Sequence, residues 1–209
     1  MRTRRAPREK AGARERLLAT SSEVFRESGY RAASLDDILR RSGVAKSNFY
    51  YHFASKLELA CAAVDLWAEQ LGTVLLAPLR DSAKSGLDRL HGFVRAFEGV
   101  CSSGAIGCPF GMLAAEDDLD AVLRERVQSV LAGLEAALAQ ALRDGQHDGS
   151  IRPDADAPQF AGVLVATIQG AGLMARATRE PSRIAAAATP LLALLAAPAA
   201  PRRPRPTHR

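Results

Sequence analysis

Residues 46–52 read KSNFYYH. Lys46, Ser47, Asn48, Tyr50, Tyr51 and His52 bring an ammonium, a hydroxyl, an amide, two phenols and an imidazole into seven consecutive positions. Such groups hydrogen-bond to base edges and to phosphate oxygens, and they do so without any nucleophile–base pair. Phe49 and Phe53 are spaced i, i+4 and supply an apolar side facing the other way. The stretch therefore reads as a short helix with one face for a core and one for a polyanion.

Such a helix must be held by others, and the neighbouring sequence provides them. Leu17, Leu18, Ser21, Val24 and Phe25 share one face of a helix over about 13–28, with Gly29 as its stop. Ser34-Leu-Asp-Asp37 is a capping signal that opens a second helix carrying Leu35, Ile38 and Leu39. Gly43 ends that helix, and the polar helix follows from Ala45. Asp36 and Asp37 face a helix N-terminus, where the dipole accounts for them without a ligand. A capped helix, a glycine turn and a second helix presenting polar groups is what places a helix in a major groove.

Further on, Ser55 caps a helix whose stripe is Leu59, Ala60, Ala63, Val64, Trp67, Leu71, Val74 and Leu75, with Pro78 as its end. Leu87, Leu90, Val94, Phe97 and Cys101 mark the next, widened by Phe93 and Val100. A break at 104–109 and a short helix after Pro109 follow. Val127, Val130, Leu131, Leu134, Leu138, Ala141 and Leu142 keep i, i+3, i+4, i+7 spacing before Gly145. Two last helices are expected over about 155–177 and 181–197. No stretch alternates with period two over strand length, so the fold class is all-α.

The chain has 209 residues, 47% hydrophobic and 24% charged, which is the composition of a soluble globular protein and excludes wholesale disorder. Its net charge of +5 is uneven. Residues 1–16 carry +5 (seven Arg/Lys, two Glu) and residues 202–209 carry +4 (four Arg), so the body must carry −4. A basic start on an acidic body fits a polyanion met by one part of the molecule. Three cysteines (Cys61, Cys101, Cys108) make no disulfide framework and fit a reducing cytoplasm. Residues 184–201 lack charge, but Pro190 and Pro198 interrupt them, so a helix packed on the body is expected rather than a membrane span. No G-x-S-x-G, P-loop, GxGxxG or H-x-x-x-H pair occurs, so no enzyme, metal or cofactor is expected.

The first 60 residues resemble the TetR family of bacterial transcriptional regulators. The matching pieces are ARERLLATSSEVFRESGY, SLDDILRRSGVAKSNFYYHF and the pair Ser55-Lys56. The resemblance implies that Lys46, Ser47 and Asn48 contact bases or nearby phosphates. It implies that Tyr50, Tyr51 and His52 contact backbone and sugar, and that Lys56 and Ser34 meet phosphates. Ala45 stands where the family more often has a capping Ser, a change worth about 1 kcal/mol.

The implied organisation is a basic tail at 1–10, a helix-turn-helix DNA-binding domain at 11–60, a ligand-binding and dimerisation domain at 61–200, and a basic tail at 201–209. Residues 61–201 carry −5, with eleven Arg/Lys against sixteen Asp/Glu, and are not the DNA-facing part. Ala161, Gly162, Ala166, Gly170, Ala171, Gly172 and Ala175 let helices approach closely, as intrachain packing or as half of a homodimer interface completed by 184–195. Trp67, Phe93, Phe97, Phe110 and Met112 read as walls of an effector pocket or as ordinary core, with Gln169 or His91 as polar anchors. Cys108, in IGCPFGMLAAED, is similar to a Gly-Cys motif through which some members sense oxidants or electrophiles, and it reads equally as a small buried side chain.

The expected function is thus a ligand-responsive repressor that binds a palindromic double-stranded operator as a dimer. A small-molecule effector would release it, and no membrane is involved. The alternatives are a thiol-based sensor through Cys108 and a non-specific architectural DNA binder working through its basic tails.

Overall fold

The structure is a computed structural model that describes residues 12–102 and 108–197. The expected basic tails and most of the expected break before Pro109 lie outside the described residues. Among the described residues the chain forms nine α-helices, one 3-10 turn and a single isolated bridge between Ile151 and Ala196.

Helix α1 (Ala13–Ala32) is interrupted at Gly29, where the sequence places its stop. It breaks there, at φ 81° and ψ 170°, and adds one more turn. A Cβ at Gly29 would lie 2.6 Å from Oε1 of Glu116, so both the positive φ and the close neighbour require glycine. Helix α2 (Leu35–Ser42) starts where Ser34 Oγ accepts the Asp37 amide at 3.1 Å and ends at Gly43 in the left-handed conformation. Helix α3 (Lys46–His52) has no side-chain cap, as Ala45 dictates. The start of helix α4 (Lys56–Leu75) is capped by two side chains. Ser55 Oγ accepts from the Glu58 amide at 3.1 Å, and Glu58 Oε2 accepts from the Ala54 amide at 2.6 Å. The α4 stripe is buried at Leu59, Ala60, Ala63, Val64, Trp67 and Leu75, whereas Val74 faces outward at 50% exposure.

Pro78 begins a 3-10 turn (Pro78–Arg80) three residues past α4. Helix α5 (Gly86–Ser102) buries Leu90, Phe93, Val94, Phe97 and Cys101. The short α6 (Pro109–Ala114) follows Cys108, and α7 (Ala121–Asp148) is the longest element. Spacing alone ends α7 before Gly145, but the helix runs through it to Asp148. The reason is steric: a Cβ on Gly86 would lie 2.3 Å from the Gly145 nitrogen, and one on Gly145 would lie 2.5 Å from Ile151 Cδ1. Gly145 is a close-packing position rather than a breaker.

Helix α8 (Ala157–Thr178) is capped by Asp156, which accepts the Gln159 amide at 3.0 Å, and α9 (Arg183–Leu195) contains Pro190. Helix α8 is long and apolar enough to cross a membrane by length and composition, and it buries Ala161, Leu164, Ile168 and Ala175 inside the protein.

Two compact units result among the described residues: 12–73 with 108–133, and 74–102 with 134–197. They interleave in sequence, where the linear expectation divides the chain at residue 60. The first contains one apolar core built from α1 to α4, α6 and the first part of α7, centred on Leu17, Ile38, Phe49, Leu59 and Leu123.

Candidate nucleic-acid interface

Helix α3 is fixed by its aromatic pair. Phe49 is fully buried and Phe53 nearly so, with ring centroids 6.0 Å apart. With these two rings turned inward, Lys46, Ser47, Asn48, Tyr50 and Tyr51 are left exposed and His52 half-buried. Lys46, Ser47 and Asn48 are exposed and make no side-chain hydrogen bond among the described residues. Tyr51 is 81% exposed and packs edge-on against His52, with centroids at 4.9 Å. Tyr50 divides its ring: one edge meets Phe49 at 5.1 Å, and 54% of the residue stays open. The structure thus brings Lys46, Ser47, Asn48, Tyr50, Tyr51 and His52 onto one short element, with Ser34 exposed at the start of α2.

Ion pairs seat α2, which precedes this element, on α1. Arg41 of α2 donates through both terminal nitrogens to Glu27 of α1, at 2.6 and 3.1 Å. The fork geometry sets the angle between the helices as well as their distance. The hydrogen bond from Arg41 holds the Glu27 carboxyl below its ordinary pKa. Arg16 Nε donates to the Ser42 carbonyl at 3.4 Å, and the Arg14 guanidinium lies 5.6 Å from the Phe53 ring centroid.

Lys56 behaves differently from the residues of α3. Its ammonium donates to the carbonyls of Tyr30 at 2.9 Å and Ala33 at 2.8 Å, and sits 4.5 Å from the Tyr30 ring centroid. Two of its three N–H groups are therefore used inside the protein. Burial pushes its pKa down, against a smaller upward pull from Glu116. The contacts tie the start of α4 to the turn between α1 and α2.

Sequence reasoning missed Glu116, which grips the same turn. Its Oε1 accepts the Tyr30 amide at 2.6 Å and its Oε2 the Arg31 amide at 3.0 Å, while Arg31 Nη1 meets Asp118 at 2.7 Å. Nothing in the run E-D-D-L-D marks one carboxylate as special, because its partners lie 85 and 86 positions away.

The residues expected to line an effector pocket fall into separate groups. Trp67 and Phe110 form an edge-on pair at 6.3 Å in the first unit, and both are buried. Phe93 and Phe97 form a buried pair at 6.5 Å in the second unit. Met112 and Cys108 in the first unit and Gln169 in the second are half-buried. Cys61 and Cys108 are half-buried and Cys101 is buried, all three as free thiols. Among the described residues no group of His, Cys, Asp and Glu could hold a metal ion.

A capped helix, a glycine turn and a second helix with an outward polar face, clamped to a third helix by a bidentate ion pair, define a helix-turn-helix DNA reader. Residues 17–64 match the family model described as bacterial regulatory proteins, tetR family. Residues 86–191 match the model described as the tetracyclin repressor-like C-terminal domain. The chain belongs to the TetR family and is a DNA-binding transcriptional regulator.

Among its relatives, the transcriptional repressor NemR of Escherichia coli K12 is 29% identical over 170 residues, covering 80% of this chain and 85% of that one. The crystal structure of E. coli NemR in its reduced form superposes with a TM-score of 0.80 at 27% identity, over 90% of this chain and all of the other. A TetR transcriptional regulator from Chloroflexus aurantiacus superposes with a TM-score of 0.78 at 32% identity, over 87% of this chain and 92% of that one.

Proposed function

We propose that the protein is a repressor that binds a two-fold-symmetric operator as a homodimer and leaves it when a small apolar effector binds. The observation that carries this reading is the α3 face: Lys46, Ser47, Asn48 and Tyr51 stand open on a helix whose other side is locked by Phe49. The first three would read bases and adjacent phosphates. Tyr50, Tyr51 and His52 would rest on the backbone and sugar.

Dimerisation is supported by α8 and α9. Val163, Leu173 and Met174 of α8 and Leu194 of α9 are large apolar residues left 44–68% exposed. Small residues such as Ala166 and Gly170 lie beside them on α8. An isologous pairing of this face would set two α3 helices at a fixed spacing, and a palindrome is the matching DNA.

Release requires that the effector bias the α3 position. The Glu116 carboxylate, two residues past α6, holds the end of α1 and so links α6 to the reading helices. An effector that moved α6 would shift the population away from the DNA-competent arrangement.

The test is capture of genomic fragments from the source organism on the purified full-length chain at near-physiological salt. Retention of a few intergenic fragments sharing a palindrome is the expected result. Uniform retention of all DNA would overturn it in favour of a non-specific architectural binder.

A further inference from the structure

We propose that the indole N–H of Trp67 is the polar anchor for the effector, and that it selects small neutral aromatic molecules carrying a hydrogen-bond acceptor such as a carbonyl oxygen. The proposal rests on the effector-responsive reading above and names the ligand class for it.

Trp67 Nε1 is buried and has no hydrogen-bond partner among the described residues. The residue is only 3% exposed. An indole nitrogen is a donor and nothing else, so an acceptor is the one kind of group that can answer it. Buried Trp side chains ordinarily find that partner, because the desolvated donor is otherwise a standing penalty. Ser22 Oγ is the other such atom among the described residues. Its hydroxyl rotates and can donate or accept, so it names no ligand chemistry.

The surroundings restrict the ligand further. Trp67 meets Phe110 edge-on, at 6.3 Å and 72°, in a core that also holds Leu113 and Leu119. Aromatic edges and faces accept another ring in the same offset or T-shaped geometry. Among the described residues, the only buried polar or charged side chains are Ser21, Ser22 and Ser42, on α1 and α2. No buried charge stands ready to pair with an ion, so a carboxylate or ammonium ligand would be desolvated without compensation. Helix α6 borders the region with a half-buried side, where Cys108 and Met112 lie, beside the buried Phe110 and Leu113.

Acetophenone and ethylbenzene serve as probes, since the carbonyl of the first replaces a methylene of the second on the same ring. Trp67 is the single tryptophan of the chain, so its emission reports this position alone. Calorimetry on the full-length protein is expected to show acetophenone binding about tenfold more tightly than ethylbenzene. Acetophenone alone shifts the Trp67 emission to the red, and Trp67→Phe removes the preference while keeping ethylbenzene binding.

Equal binding of the two compounds, a preference that survives Trp67→Phe, or binding of neither would overturn the anchor. If Trp67→Phe fails to fold, the wild-type comparison and the emission shift decide by themselves. Genomic-fragment capture separates the two levels. Selective capture with no acetophenone preference removes the anchor alone, and unselective capture removes the repressor reading whichever compound binds.

Discussion

The carboxylate of Glu116 accepts the backbone N–H of Tyr30 at 2.6 Å. Its second oxygen takes the next amide, of Arg31, at 3.0 Å. The break at Gly29 restarts the helix, and a restarted helix has unpaired N–H groups in its first turn. A side chain from beyond α6 caps them, and the absence of a Cβ at Gly29 lets it approach. The start of α4 holds the opposite polarity of the same turn, with Lys56 Nζ on the carbonyls of Tyr30 and Ala33. One charge of each sign thus fixes the joint on which α2 and α3 hang.

Glu116→Ala is expected to destabilise the first unit by about 1–3 kcal/mol, because one partly buried amide and one exposed amide lose a charged acceptor. Glu116→Gln keeps one acceptor oxygen but turns an NH2 group toward the other amide, and should fall between. Urea unfolding of the three proteins checks the order. A Glu116→Ala midpoint equal to wild type would mean that the carboxylate caps nothing in solution.

Lys46 and Lys56 separate a phosphate contact from a structural tie. Lys46→Ala should leave stability unchanged and lower the slope of log affinity against log salt by about 0.9, the value of one neutralised phosphate on duplex DNA. Lys56→Met should lower the melting temperature and weaken DNA binding, with the slope close to that of wild type. Salt titrations on a captured operator read both. A full unit of slope lost in Lys56→Met would give its remaining N–H to a phosphate.

The legibility of this chain follows the range of the interactions. The α2 cap at Ser34, the Gly43 terminus and the inward pair Phe49 and Phe53 are set by neighbours within four residues, and all are readable from spacing. Gly29 and Gly145 were readable only as breakers. What decides their conformations lies far away, in the Glu116 carboxylate for one and in Gly86 and Ile151 for the other. Lys56 shows the same limit within the candidate site. Its position in a motif suggests a phosphate, while its half-burial and its carbonyl partners depend on how α1 ends. The aromatic residues of the middle helices read as one group in sequence, yet Trp67 with Phe110 and Phe93 with Phe97 belong to different units. Apolar type alone carries no information about which core a residue joins.

Acid should loosen the clamp between α1 and α2. The hydrogen bond from Arg41 lowers the Glu27 pKa in the folded protein from its ordinary value of 4.5. A depressed folded pKa means that the contribution is complete above the unfolded value and is lost as pH falls through the folded one. The window therefore opens at about pH 4.5 and extends downward. Glu27→Gln should flatten the stability profile in that range and leave its shape near neutrality unchanged. Thermal melts at stepped pH give the comparison, and parallel profiles for the two proteins would remove Glu27 from the acid response.

The exposed α8 face makes the most direct prediction about assembly. Leu173 is 68% exposed and Met174 51%, on a helix whose opposite side is buried in the second unit. Burying one leucine side chain is worth about 1.5–3 kcal/mol. A two-fold interface presents each residue twice, so a single substitution acts at both copies. Leu173→Glu should therefore convert a dimer into monomers in sedimentation velocity at micromolar concentration, with little change in the circular dichroism of the helices. Operator affinity should collapse with it, because a monomer holds one half-site and loses the second, a helical turn away. A Leu173→Glu protein that sediments as a dimer and still protects both half-sites would place the interface elsewhere than on α8.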